Sequence, residues 1–205
     1  MPRENKLKQV QMRTRIAAAA ARLMAEDGID DFALAKRKAA RQLGAPDSHS
    51  LPTNEEIENE LVAYQALYQG DEQRDRIQNL REIALDAMTE LDQFNPYVAG
   101  PVLKGTAGRY ADIDLQLFTD DLKAVEFYFL NRDLPYEVSD ERHYSGDEMR
   151  PAQILHVEWR GVALNLAIYR ANDERRALKG TPGGRNIERA NVTALRAMLN
   201  PSTAE

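Results

Sequence analysis

Two aspartates one residue apart, Asp112 and Asp114, stand in the run Ala111-Asp-Ile-Asp-Leu-Gln-Leu-Phe118. Ile113, Leu115 and Leu117 alternate with them, which is the period of a strand buried on one face. Both carboxylates of such a strand leave the opposite face together. Strand interiors disfavour Asp, and two like charges held side by side repel. A hard divalent cation with oxygen ligands, Mg²⁺ or Mn²⁺, relieves that repulsion. Upstream, Val102-Leu103 reads as an apolar strand that ends in a small-residue turn at Gly105-Thr106. Such a turn lets backbone N–H groups and a hydroxyl approach a phosphate, with Lys104 and Arg109 supplying positive charge beside it. Together these parts suit metal-assisted phosphoryl or nucleotidyl transfer.

A second cationic group surrounds the loop Lys179-Gly-Thr-Pro-Gly-Gly-Arg185, which precedes the last expected helix. Glycines before a helix N-terminus suit a phosphate, so Lys179 and Arg185 join the candidate phosphate ligands. The histidines at 49, 143 and 156 show no metal-ligand spacing, and His156, within a strand, reads as structural. Trp159 and Tyr169 read as core or rim residues.

Residues 96–170 resemble the nucleotidyltransferase superfamily that includes antibiotic nucleotidyltransferases, polymerase-β-like enzymes and minimal bacterial nucleotidyltransferase domains. The shared signature is an apolar strand, Gly-Ser, a short spacer and Asp-x-Asp on the next strand. Leu103-Lys104-Gly105-Thr106 and Asp112-Ile113-Asp114 stand for its two halves. The resemblance implies an NTP, ATP first, with its phosphates at Lys104, Gly105, Thr106 and Arg109. It also implies Mg²⁺ or Mn²⁺ on Asp112 and Asp114, and a nucleoside monophosphate passing to an acceptor hydroxyl on RNA, protein or a small molecule. Three departures stand out: Thr106 replaces the Ser, the spacer 107–111 is short, and the family's third carboxylate is missing. Asn165, on the strand Val162–Tyr169, occupies the expected place; Glu158 is the nearby carboxylate able to substitute. A catalytically degraded nucleotide- or RNA-binding module of the same fold is the alternative.

The elements that must position these residues change character near Pro96. Before it, helices are expected over 6–27, 30–43, 53–69 and 71–94. Gly28 and Gly44 act as stops, Thr53 with Glu56 as a capping box and Asp71 as a cap. After it come short β-branched or aromatic runs at 112–118, 136–138, 154–159 and 162–169, with Arg160-Gly161 as a tight hairpin turn. Helices are expected over 120–131, with Leu122, Val125, Phe129 and Leu130 inward, and over 186–200, with Leu195 and Met198 inward. The expected fold class is α+β: an all-helical region over 1–95, then a mixed β-sheet flanked by helices over 96–205.

Composition narrows the rest. The 205 residues contain no Cys, so disulfides, thiolate metal sites and a cysteine nucleophile are excluded. No apolar run approaches the ~18 residues of a membrane span, and the N-terminus lacks a signal-peptide core; a cytoplasmic protein without a membrane partner is expected. Residues 1–43 carry ten Lys/Arg against five acids, whereas the remainder carries 17 against 28. That basic front suits either an anionic partner or docking within the chain. Residues 15–33 are similar to the opening helix of TetR-type regulators, but a Pro/Ser run at 45–53 replaces the recognition helix.

Overall fold

The computed structural model describes residues 2–29, 31–45, 51–68, 70–181 and 184–200, with side chains from residue 7 onward. His49, Gln69, Pro182 and Gly183 lie outside the described residues. The fold is mixed α+β, with helices leading and a six-stranded sheet following. Two compact units divide it. Met1–Arg76 with Gly105–Ala111 forms one, and Ile77–Lys104 with Asp112–Glu205 forms the other.

The first unit contains α1 (Pro2–Asp27), α2 (Phe32–Gln42), α3 (Asn54–Tyr68) and the start of α4 (Gly70–Glu90). Its core sets the small residues Ala17, Ala20, Ala21, Ala35, Ala39 and Ala40 around the larger Ile16, Ile57 and Leu61. Small side chains let helices approach closely, and each fully buried Ile or Leu contributes roughly 1.5–3 kcal/mol. Asp31 caps α2 by accepting from the Ala33 N–H at 2.7 Å. The Thr53/Glu56 capping box forms: the Thr53 N–H donates to Glu56 at 2.6 Å and the Glu56 N–H to Thr53 Oγ at 3.2 Å. Arg13 of α1 clamps the same Glu56 carboxylate, with Nε–O distances of 2.8 and 2.9 Å. Asp71 does not cap α4; it lies within the first turn, where a carboxylate favours the helix dipole. Several cations of the basic front are occupied locally, Lys36 by Asn54 at 2.6 Å and Lys38 by Asp27 at 3.7 Å.

The second unit is built on β1 (Tyr97–Ala99), β2 (Ile113–Phe118), β3 (Tyr136–Ser145), β4 (Glu148–Trp159), β5 (Val162–Tyr169) and β6 (Arg189–Asn191). They are ordered β3-β4-β5-β2-β1-β6, with β2 and β5 parallel and every other neighbouring pair antiparallel. Ile113, Leu115, Leu117, Leu155, Val157, Leu164, Leu166 and Ile168 share one face and are buried. Ile77, Leu80, Ala84, Ala87 and Met88 of α4, with Leu91 just past its end, form the expected buried stripe. Asp86 of α4 accepts from Trp159 Nε1 at 2.8 Å and from Arg160 at 2.6 Å. The hairpin turn at Arg160-Gly161 has φ +50° and +79°, the left-handed pair of a type I′ connection.

Several expected elements differ: the strands expected over 136–138 and 154–159 run over Tyr136–Ser145 and Glu148–Trp159 as a long hairpin. Val102-Leu103 belongs to a one-turn helix, α5 (Gly100–Lys104), and the strand lies upstream at Tyr97–Ala99. Pro101 suits a first helical turn. Arg81 of α4 takes the carbonyls of Val102 and Leu103 at 3.1 and 2.7 Å, so a sheet ladder does not claim them. α6 runs over Leu122–Leu130 beneath an Asp121 cap and leaves Leu130 53% exposed. The last helix, α7, begins at Val192 under an Asn191 cap, because Arg189–Asn191 pairs with β1 as an edge strand; Met198 is exposed and Leu195 buried.

The Glu56 carboxyl is held down at about 2 because the Arg13 guanidinium and the Thr53 N–H donate to it. Its stabilisation is therefore complete above the ordinary glutamate range near pH ~4.3 and is lost as pH falls toward 2. Denaturant midpoints of the full chain and Glu56→Gln should differ at pH 6 and converge near pH 2. Thr53→Ala should cost about 1 kcal/mol at pH 7.

Candidate functional site

Sheet register assembles the site. Asp114 pairs with Asn165 across the parallel β2–β5 ladder and with Ala99 across β1. Asn165 pairs with His156 of β4, and His156 with Glu137 of β3. One row thus runs Ala99, Asp114, Asn165, His156, Glu137, with side chains on the face opposite the apolar one. Asp112 sits one residue before β2 and is exposed, while Asp114 is half-buried.

The hydrogen bonds along this row have a fixed direction. Asn165 Nδ2 donates to Asp112 Oδ2 at 3.2 Å and to Asp114 Oδ1 at 3.1 Å. Turning the amide over would set its carbonyl oxygen against two carboxylates, so Oδ1 faces His156. His156 Nδ1 lies 2.8 Å from that oxygen and therefore carries the N–H. In the neutral ring Nε2 is then an acceptor, and the Ser139 hydroxyl donates to it at 2.7 Å. Two carboxylates thus set the tautomer of a histidine two strands away.

Gly100 closes the site beside Asp114. Its φ is +65°, and a Cβ there would lie 2.3 Å from Asp114 Oδ2. A cavity of about 300 Å³ opens over the same face, lined at one end by Gly100, Asp114, Asn165 and His156. Its other end reaches Glu141, His143 and Tyr169. At that end a small apolar cluster, in which Phe118, Ala152, Ile154, Tyr169 and Leu178 pack together, closes the face.

The other sequence candidates lie elsewhere. Glu158 is exposed and pairs with Ala163, so Asn165 rather than Glu158 stands beside Asp114. Gly105, Thr106 and Arg109 belong to the helical unit. Gln73 Nε2 donates to the carbonyls of Gly105 and Ala107 at 3.3 and 3.0 Å, Gln65 donates to that of Thr106 at 3.4 Å, and Thr106 is buried. Lys104 ends α5 and is exposed. Lys179 bridges Tyr144 and Asn186 through its backbone, and Arg185 is exposed. None of these seven candidates lines the cavity. Among the described residues no group of three or more His, Asp or Glu is arranged to hold a metal. Ser139, Glu141 and Gly100 carry no motif signal, and His143 and His156 show no ligand spacing in the sequence, where His156 reads as structural; strand register brings them to one face.

No family model matches the sequence, and neither a curated protein nor a solved structure matches it. No helix of the described residues is long and apolar enough to cross a membrane.

Gly100→Ala should destabilise the chain by at least about 1–2 kcal/mol from the left-handed backbone alone, with Asp114 displaced as well. Urea unfolding measures the first effect. An unchanged midpoint would show that the close approach is relaxed in solution.

Proposed function

We propose that the chain is a nucleotidyltransferase-like protein that binds a nucleoside triphosphate with a divalent cation at Asp112 and Asp114. The transfer would pass a nucleoside monophosphate to an acceptor hydroxyl. The observation that carries this reading is the abutment of Gly100, at the end of β1, on Asp114 of β2. The resembled signature needs an apolar strand, a glycine-led turn, a spacer and Asp-x-Asp on the next strand. Tyr97–Ala99, Gly100-Pro101, residues 102–111 and Asp112-Ile113-Asp114 supply that order. The glycine of the signature thereby moves from Gly105 to Gly100, and the short spacer disappears as a departure. Pro101 then stands where the signature has a hydroxyl, which is a new one.

The donor set fits a substrate-borne cation. Asp112 and Asp114 each give one oxygen to the same Asn165 nitrogen, so the two carboxylates lie side by side. Mg²⁺ characteristically takes one or two carboxylates and completes its shell with water and phosphate oxygens. Bound there, the cation would neutralise charge on the transferring phosphate. Asp112 and Asp114 would hold it, the Gly100 backbone would leave room beside Asp114, and Asn165 would orient the two carboxylates. A binding-only module of the same fold is the second reading. It is favoured by Asn165 itself, whose amide cannot accept an acceptor proton at neutral pH.

Replacing Asp112 and Asp114 together by Asn should abolish Mg²⁺- or Mn²⁺-dependent NTP binding in calorimetry while circular dichroism stays unchanged. Binding that survives the double substitution would refute the site. Asn165→Asp should tighten Mn²⁺ binding and raise any transfer rate about 10²-fold if the fold is catalytic. Tighter metal with no transfer to any labelled acceptor would favour the binding module.

A further inference from the structure

The far end of the cavity holds a second directional relay. His143 Nε2 lies 3.2 Å from Glu141 Oε2, a carboxylate oxygen that can only accept, so Nε2 carries the N–H and Nδ1 accepts from the buried Tyr169 hydroxyl. Tyr169 is 2% exposed and stacks on Phe118. Burial lowers the His143 pKa and raises that of Tyr169, which keeps both groups neutral at pH 7. Buried Tyr169 and half-buried His143 thus orient one exposed carboxylate, and that carboxylate lines the cavity. Orientation of this kind is how a ligand-contacting group is held in place. Asp114 stands at the opposite end, and no Lys or Arg is among the lining residues. The cavity therefore offers hydrogen-bond acceptors at both ends. A phosphate enters the Asp114 end only with its charge covered by a cation, and the Glu141 end takes an N–H donor.

Resting on the nucleoside triphosphate reading above, we propose that Glu141 reads the nucleobase and selects guanine. An ionised carboxylate presents two acceptors in a fork. Guanine alone among the four common bases sets two donors side by side, N1–H and N2–H₂. Adenine and cytosine place a ring-nitrogen lone pair next to their amine, and uracil flanks its N3–H with two carbonyls; each meets the fork with a repulsive partner. Ile154, Ala167 and Ile187 line the cavity between the two ends and give a base apolar walls, and about 300 Å³ is within the range of small-ligand pockets. His143 and Tyr169 act as positioning residues through Glu141.

Equilibrium binding of GTP, ITP, ATP, CTP and UTP to the full chain with Mn²⁺ tests the assignment. GTP should bind about tenfold more tightly than ITP, which lacks the 2-amino group and so loses one hydrogen bond to the charged Glu141 carboxylate. Glu141→Gln, which offers one acceptor and one donor, should bring GTP down to the ITP level. His143→Phe should shrink the GTP/ITP ratio while changing ITP affinity less, an effect that a merely structural role would not produce. Equal affinity for all five nucleotides would overturn the guanine assignment and leave the metal–nucleotide reading standing. A GTP preference undiminished in Glu141→Gln would overturn the role of Glu141. No metal-dependent binding of any nucleotide would refute the reading on which the assignment rests.

Discussion

The site depends on a single amide. Asn165 bridges Asp112 and Asp114 with the two hydrogens of one nitrogen. It does so because β2 and β5 run parallel with Asp114 and Asn165 in register. A register slip of one residue would turn Asn165 to the apolar face and leave two carboxylates repelling each other. The bridge also orders its surroundings, since the carboxylates fix the amide and the amide fixes the His156 tautomer. Charge-assisted hydrogen bonds are the stronger kind, so the direction of the chain begins at the aspartates and runs outward to Ser139.

The same face shows how a sheet divides its work between its two sides. Leucines, isoleucines and valines at alternate positions of β2, β4 and β5 are buried, and that burial determines which residues must face the other way. Asp114, Asn165 and His156 are polar because the face they occupy is not the one that the core claims. Closing part of this face with Phe118, Tyr169, Ile154 and Leu178 leaves a cavity rather than a flat surface. The aromatic packing is ordered, with Phe118 and Tyr169 stacked at 5.4 Å and Arg189 placed 4.7 Å over the Phe118 ring. Gly100 contributes by absence. A side chain at that position would occupy the space of the Asp114 carboxylate.

The helical unit is stabilised by a different logic. Alanines on α1 and α2 keep its core shallow and closely packed, and the ends of its helices are secured by polar caps. Buried Gln65 and Gln73 take up the carbonyls of residues 105–107, satisfying backbone that would otherwise be buried without partners. That use of the carbonyls explains why a small-residue turn, legible in the sequence as a phosphate cradle, is equally legible as a loop built to be gripped.

Much of the secondary structure was determined by the sequence alone. The capping box at Thr53/Glu56, the stripe of α4, the Asp-x-Asp strand and the Arg160-Gly161 turn follow from local spacing and backbone preference. Even the His156–Asn165 pair was implicit, because the two residues are equidistant from that turn. Tertiary structure decided what local rules do not reach. Val102-Leu103 has the composition of a strand, yet Arg81 takes its carbonyls and it forms a helical turn, so the strand lies at Tyr97–Ala99 and the glycine against Asp114 is Gly100. Strand order across long connections likewise set Asn165, not Glu158, beside Asp114 and brought Glu141, His143 and Tyr169 to the same cavity. Spacing along a chain fixes which side chains share a face of one strand; which strands become neighbours depends on burial summed over the whole sheet, and no single segment carries that sum.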